Sequence, residues 1–127
     1  MFLYNLCIII YARLVALVGL WNRKAKQWAD GRKGIFERMA AAISPSDRVV
    51  WIHVASLGEF EQGRPIIEQI KREHPQYKVL VTFFSPSGYE IRKNYNGADY
   101  IFYLPIDTPR NAKRFLDIVH PELAIFV

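Results

Sequence analysis

The residues best suited to chemistry in this chain of 127 residues follow its most strand-like segment. Residues 49–55 are mostly β-branched and aromatic, which is typical of a buried strand, and the run leads into Ser56, Gly58 and Glu59. Ligands of open parallel sheets bind beyond the carboxyl ends of the strands. Glu59 therefore stands where catalytic groups of such folds usually lie, and its carboxylate is a candidate general base. The alternative is a first-turn carboxylate that only stabilises the helix dipole.

Small and hydroxylated residues surround this position and also follow the next predicted strand. Ser56 and Gly58 keep the first loop short and open, so that its amides can hold a ligand, although turn formation alone would also explain them. Ser85, Ser87 and Gly88 form a second loop at the same edge of the sheet. A helix N-terminus with serine hydroxyls suits a phosphate or a sugar hydroxyl, and helix capping is the alternative.

Several classes of site have no support in the sequence. The histidines, the single cysteine and the acidic residues show no metal-ligand spacing, and neither G-x-G-x-x-G nor a P-loop occurs. No cofactor is therefore expected. Cys7 cannot form a disulfide within the chain, which fits a cytosolic domain. His53 lies within the first predicted strand, where a packed side chain is a better interpretation than a catalyst.

Strands and helices alternate after residue 48. Predicted strands cover residues 49–55, 78–84, 100–104 and 123–127. The first connecting helix ends near Glu73 and begins near Gly63, where Pro65 suits a first turn, or near Glu59 with a bend. The next two helices are predicted over residues 85–94 and 110–119, and a short helix over residues 35–43 precedes the sheet. This alternation predicts an α/β fold with a parallel sheet.

Residues 1–22 are predicted to form a membrane-anchor helix. Nearly all of them are apolar, and a run of about 20 such residues matches the hydrocarbon thickness of a bilayer. Arg13 interrupts the run, so a helix lying in the membrane interface is an alternative. A cleaved signal peptide is a third interpretation, but no basic residues precede the run. Basic residues follow it at once, which places the rest of the chain on the cytoplasmic side.

Residues 23–48 are predicted to be a basic juxtamembrane linker that contains the short helix. The net charge of +5 is concentrated here, and attraction to anionic lipid headgroups explains such a stretch. The alternative is that some of its residues, Arg32 and Lys33 among them, hold phosphates of a lipid substrate. A nucleic-acid partner is not expected, because the stretch lacks a nucleic-acid-binding motif.

Four ordered segments resemble one family of glycosyltransferases. The sequence WIHVASLGE at residues 51–59 resembles the signature of the 3-deoxy-D-manno-octulosonic acid (Kdo) transferases, which add Kdo to the lipid A precursor. Residues 80–88 (LVTFFSPSG) and 103–107 (YLPID) are similar to the family's second and third strands with the turns that follow. Residues 115–124 are similar to its next helix and strand, and the sequence GRKG at residues 31–34 also fits.

The resemblance implies the N-terminal half of a GT-B glycosyltransferase, in which two Rossmann-like halves face a cleft. Residues 49–127 would be the Rossmann-like acceptor-binding domain, with the family's catalytic glutamate at Glu59. The residues expected to bind the acceptor lie in the two loops and the basic stretch: Ser56, Gly58, Ser85, Ser87, Gly88, Arg32 and Lys33. The acceptor would be the lipid A precursor, met at the cytoplasmic face of the inner membrane.

The same resemblance implies a donor substrate, CMP-Kdo, bound mainly by a C-terminal domain that is absent from this chain. The family pattern continues beyond Val127, so the 127 residues alone are expected to be inactive. Two other functions stay open. One is a non-catalytic, membrane-tethered module that binds anionic lipid, which a dispensable Glu59 would favour. The other is the acceptor half of another GT-B nucleotide-sugar transferase, which a different acceptor preference would favour.

Overall fold

A computed structural model describes residues 1–127 as a parallel sheet with helices on both faces. The strands are β1 (Val49–Val54), β2 (Lys78–Phe83), β3 (Tyr100–Tyr103) and β4 (Leu123–Phe126). The helices that connect them are α4 (Leu57–Glu73), α5 (Pro86–Arg92) and α6 (Pro109–Val119). The helices that precede the sheet are α1 (Phe2–Val18), α2 (Arg23–Asp30) and α3 (Ile35–Ala42). The strands are all parallel and lie in the order β3-β2-β1-β4.

The predicted α/β fold with a Rossmann-like parallel sheet is confirmed. Each strand begins at its predicted residue and ends one residue earlier. Of the two predicted starts of α4, the structure has the one near Glu59, since the helix begins at Leu57 and includes Pro65. The strand order reverses between β1 and β4. Open α/β sheets bind ligands at such a reversal, so the loop after β1 lies at the expected ligand site.

Two apolar clusters, one on each face of the sheet, hold β1 and β2 in place. One cluster joins α3 and α6 to the sheet, and the other joins α4 to it. Successive side chains of a strand point to opposite faces, so Val49 packs in the first cluster and Val50 in the second. Strands covered on both faces are nearly continuous apolar runs, as these two are. The loops at the carboxyl edge therefore begin at the ends of strands that are buried and closely packed.

The segment 23–48 differs from the predicted linker. It forms α2 as well as the predicted α3, and α3 contributes Ile35, Phe36 and Met39 to the core. α2 in turn contacts α1 and α5. The sequence of α2, RKAKQWAD, is mostly charged or polar, and its apolar stripe is limited to Ala25, Trp28 and Ala29, of which only Trp28 is buried. Residues 23–48 are thus part of the folded unit that the sheet belongs to.

α1 lies on the outside of this unit. The side that faces the protein is a helical stripe of half-buried residues: Asn5, Ile8, Ala12, Val15 and Gly19. The Tyr4 hydroxyl donates to the Asp107 carboxylate at 2.6 Å, and the rings of Tyr11 and Trp28 meet edge-on at 5.6 Å between centroids. None of the helices combines the length and the apolar character needed to cross a membrane. The anchor over residues 1–22 stays a prediction.

Candidate active site

The first loop places Glu59 at the carboxyl edge of the sheet. β1 ends at Val54 and α4 begins three residues later at Leu57, so Glu59 lies in the first turn of that helix. The Ser56 hydroxyl does not accept a capping hydrogen bond from the backbone but donates one to the Glu59 carboxylate. Both side chains are partly exposed. The carboxylate is therefore held in place and is open to a ligand.

Hydrogen bonds keep Glu59 in its charged form. The Ser56 hydroxyl lowers the pKa of Glu59 most, and the backbone N–H groups of Glu59 and Ser56 lower it further, against a smaller opposing effect of desolvation. The carboxylate is ionised at neutral pH and can accept a proton. Glu59 is also the third residue of α4, and a glutamate there that is hydrogen-bonded to the N-cap residue, here Ser56, is a known helix-capping arrangement. The geometry thus accommodates both functions predicted for Glu59.

The second loop lies beside the first and is bonded to it. The Ser85 N–H donates to the Ala55 carbonyl at 2.9 Å, directly before Ser56. The Ser85 hydroxyl accepts from the Ser87 N–H at 3.1 Å and thereby caps α5, and the two hydroxyls are 2.5 Å apart. The structure therefore brings Ser56, Ser85 and Ser87 to one edge of the sheet. The capping alternative is confirmed for Ser85, and acceptor binding by these residues stays a prediction.

The two glycines of these loops have different surroundings. A Cβ atom on Gly88 would lie 2.5 Å from the Phe83 ring and 3.0 Å from the Leu57 nitrogen. Gly88 is buried, so its missing side chain allows α5 to approach the start of α4. Gly58 is exposed, and a Cβ atom there would approach only the Ser56 Oγ, at 3.9 Å. Gly58 leaves open space beside the candidate base, whereas Gly88 serves packing.

Arg32 is buried between the helices that precede the sheet and the carboxyl edge of the sheet. Its Nε, Nη1 and Nη2 donate to the carbonyls of Leu104 at 2.8 Å, Trp28 at 3.0 Å and Phe84 at 3.0 Å. The rings of Trp28, Phe84 and Tyr103 face the guanidinium at 4.2, 5.4 and 4.8 Å. Burial lowers the pKa of Arg32 to about 10, which leaves it charged at neutral pH. The predicted contact of Arg32 with an acceptor has no support from this geometry.

Lys33, the other basic residue predicted to bind the acceptor, lies on the surface. Its ammonium is 3.0 Å from a carboxylate oxygen of Asp30, and 78% of its side chain is exposed. Exposed ion pairs of this kind are weak, so the ammonium can exchange Asp30 for an anionic ligand at little cost. Its role in acceptor binding stays a prediction.

A buried threonine that the sequence analysis did not single out joins β1 to β2. The Thr82 hydroxyl accepts from Trp51 Nε1 at 2.8 Å and lies 2.9 Å from His53 Nδ1. Burial lowers the pKa of His53, so the imidazole is neutral near pH 7. His53 is a packed residue, as predicted, and its side chain is hydrogen-bonded to Thr82 and not to Glu59. The one sign of this hydrogen-bond network in the sequence was Thr82, the single hydroxyl-bearing residue in the apolar run of β2.

The chain is similar to known proteins over most of its length. Residues 32–127 match a family model described as 3-Deoxy-D-manno-octulosonic-acid transferase (kdotransferase). A 3-deoxy-D-manno-octulosonic acid transferase of Haemophilus influenzae is 26% identical over 125 residues, which cover 98% of this chain and 29% of the relative. The protein of the same name from Aquifex aeolicus is 39% identical over 79 residues, 61% of this chain and 22% of the relative. That from Chlamydophila psittaci is 29% identical over 132 residues, 98% of this chain and 30% of the relative.

The family match includes every residue of the candidate site. It begins at Arg32 and contains both loops and all four strands. The chain spans less than a third of the length of each of these three relatives. A match that extends from Arg32 through the Glu59 loop to the last strand shows that the chain belongs to the 3-deoxy-D-manno-octulosonic-acid transferase (kdotransferase) family.

Proposed function

We propose that this chain is the acceptor-binding part of a glycosyltransferase that transfers Kdo from CMP-Kdo to the lipid A precursor in lipopolysaccharide biosynthesis. The observation that carries the proposal is an ionised glutamate, held by a serine hydroxyl at the ligand edge of the sheet, in a chain of this family. A carboxylate in that position suits a reaction whose nucleophile is a hydroxyl group. No observation favours the non-catalytic lipid-binding module.

Glu59 is the proposed general base of the transfer. An acceptor hydroxyl attacks the anomeric carbon of Kdo, and the new C–O bond forms as the bond from that carbon to the phosphate oxygen of CMP breaks. The hydroxyl proton passes to the Glu59 carboxylate. Because the pKa of Glu59 is lowered, the carboxylate is ionised before the acceptor binds, and it takes the proton while the new bond forms.

The pH dependence of the transfer tests this assignment. A base with a lowered pKa stays ionised until the pH falls through that lowered value, so kcat/KM should decline only below the range in which an ordinary glutamate titrates. Ser56→Ala removes the largest cause of the shift and should move the acidic limb of the profile to higher pH. An acidic limb that stays in place in Ser56→Ala would show that it reports a different group.

The loop hydroxyls and one exposed cation are the proposed contacts with the acceptor. The hydroxyls of Ser85 and Ser87 lie beside the Glu59 loop, where they can bind sugar hydroxyls or a phosphate of the lipid A precursor. Lys33 supplies an exposed ammonium for an acceptor phosphate. The nucleotide of CMP-Kdo is assigned to no residue of this chain, and we expect a C-terminal donor-binding domain to hold it.

We also place the chain at the cytoplasmic face of the inner membrane, through α1. Large apolar side chains cover the outward side of this helix: Phe2, Leu3, Leu6, Ile9, Ile10, Leu14, Leu17 and Val18. Arg13, Arg23 and Lys24 are exposed on or just after it, and such cations are attracted to anionic headgroups. A helix of this composition enters the headgroup region of a bilayer, where a lipid-linked acceptor is found.

Deletion of residues 1–21 is expected to abolish membrane binding without unfolding the sheet. α1 contributes no buried residue to the core, so the truncated chain should keep the circular dichroism of the α/β unit. Binding is measured by co-sedimentation with vesicles of phosphatidylethanolamine and phosphatidylglycerol at low and high salt. A matched variant, Arg23→Gln with Lys24→Gln, should weaken binding only at low salt. Retention of the truncated chain by vesicles at high salt would contradict the role of α1.

A further inference from the structure

We propose that Arg32 positions the catalytic carboxylate and does not contact the acceptor. It holds the peptide unit between Phe84 and Ser85, and that unit holds the loop in which Glu59 lies. The inference rests on the proposed function, because it assigns Arg32 a part in the geometry of the transfer reaction.

The connection from Arg32 to the proposed base passes through one peptide unit. The carbonyl of that unit belongs to Phe84 and accepts from Arg32 Nη2 at 3.0 Å. Its N–H belongs to Ser85 and donates to the Ala55 carbonyl at 2.9 Å. The next residue, Ser56, donates its hydroxyl hydrogen to the base. Because a peptide unit is planar and stiff, a guanidinium that fixes the carbonyl also fixes the direction of the N–H on its other side.

Arg32 joins two more segments at the same point. The carbonyl of Leu104, directly after β3, accepts from Nε, and the carbonyl of Trp28, in the last turn of α2, accepts from Nη1. A planar guanidinium directs N–H groups from three separate nitrogen atoms along fixed lines, whereas an ammonium donates from a single atom whose N–H groups rotate. Arg32 thus fixes the exits of β2 and β3 relative to each other and to α2.

The burial of Arg32 is not explained by stability alone. Only 9% of the residue is exposed, and its hydrogen bonds all go to carbonyls, none to a carboxylate. A buried cation without an acidic partner is unfavourable, and the carbonyl dipoles and the aromatic faces of Trp28 and Tyr103 offset that cost. An apolar side chain would fill this space without desolvating a charge. What the guanidinium adds is the alignment of the three carbonyls.

Arg38 offers a matched control for Arg32. Its Nη2 donates to the carbonyls of Gly31 and Lys33 at 2.7 and 2.8 Å, so it too is a guanidinium bonded to main-chain oxygens of this segment. Arg38 is exposed, and its hydrogen bonds do not reach the carboxyl edge of the sheet. Arg38→Met therefore removes hydrogen bonds from a guanidinium to main-chain carbonyls of this segment, while the hydrogen bond from Arg32 to the Phe84 carbonyl remains.

The experiment compares Arg32→Met, Arg32→Lys and Arg38→Met in the protein encoded by the complete reading frame. We expect kcat to fall about 10–100-fold in both Arg32 variants, with the acceptor KM nearly unchanged, because a small misplacement of a reacting group has effects of that size. Hydrogen exchange of the Ser85 amide should become about tenfold faster, since loss of a charged donor weakens the loop. Arg38→Met should change neither quantity. If Arg32→Met does not fold, Arg32→Lys, which keeps the charge, supplies the result.

A double-mutant cycle with Glu59→Gln separates positioning from general destabilisation. If Arg32 acts through Glu59, Arg32→Lys should cost little further turnover in a Glu59→Gln background. Additive losses or a wild-type kcat in Arg32→Lys would overturn the proposal. A raised acceptor KM with an unchanged kcat would also overturn it and return Arg32 to acceptor binding. Wild-type turnover in Glu59→Gln alone would instead overturn the general base of the proposed function, and the coupling to Arg32 with it.

Discussion

Glu59→Gln is expected to lower turnover about 10²–10⁴-fold, the usual contribution of a general base. Glutamine keeps the shape of the side chain, and its carbonyl oxygen can still accept the hydrogen bond from the Ser56 hydroxyl, but it cannot take the proton of the acceptor. The acceptor KM and the midpoint of unfolding should therefore stay near the wild-type values. The measurement is the steady-state release of CMP from CMP-Kdo in the presence of lipid A precursor, with the protein encoded by the complete reading frame.

Glu61→Gln is the matched control for this change. Glu61 lies two residues further along the same helix, where its exposed carboxylate is 2.7 Å from Arg92 and 3.7 Å from Arg64. The substitution removes the same charge without touching the loop, so turnover should stay near the wild-type rate. If Glu59 only caps the helix, both variants will turn over normally and differ from the wild type by small changes in stability. That result would contradict the assignment of Glu59 as the general base and return it to helix capping.

The sheet and the position of Glu59 were predictable because buried strands appear in the sequence as runs of apolar residues. β1 and β2 are covered on both faces, so nearly every residue in them is apolar and their ends appear where small or turn-forming residues begin. Once the strands are known to be parallel, chain order alone places the residues after β1 and β2 at one edge. This is why Glu59, Ser56 and Ser85 could be grouped before their contacts were known.

The contacts of Arg32 were not predictable in the same way. Its hydrogen-bond acceptors are main-chain carbonyls, which every residue has and which no residue type reveals. Two of them, from Phe84 and Leu104, are 52 and 72 positions away along the chain. Arg32 was therefore predicted to contact a ligand, as an exposed basic residue would. Its burial depends on tertiary packing, which the sequence of the basic stretch does not show. The helix α2 was not predicted either, because most of its residues are charged or polar and its apolar stripe is limited to Ala25, Trp28 and Ala29.

Gly88→Ala is expected to destabilise the fold by about 1–3 kcal/mol, the range for overfilling a well-packed site. The added methyl group would lie 2.5 Å from the ring of Phe83 and 3.0 Å from the Leu57 nitrogen. Phe83 cannot move aside easily, because it is fully buried and packs against Phe60 and Tyr89. The measurement is the free energy of unfolding by denaturant, followed by circular dichroism.

Gly58→Ala is the matched substitution in the other loop, and it should weaken acceptor binding without lowering the stability of the fold. A methyl group there approaches only the Ser56 Oγ at 3.9 Å, and restriction of the unfolded chain should stabilise the protein by about 0.4–1 kcal/mol. Because that methyl group would occupy the open space beside Glu59, acceptor binding should weaken although stability does not fall. Equal stabilities of Gly88→Ala and the wild type would contradict the packing role of Gly88. An unchanged acceptor KM in Gly58→Ala would place the acceptor away from the first turn of α4, and the contact surface would then have to be sought along the Ser85 and Ser87 loop.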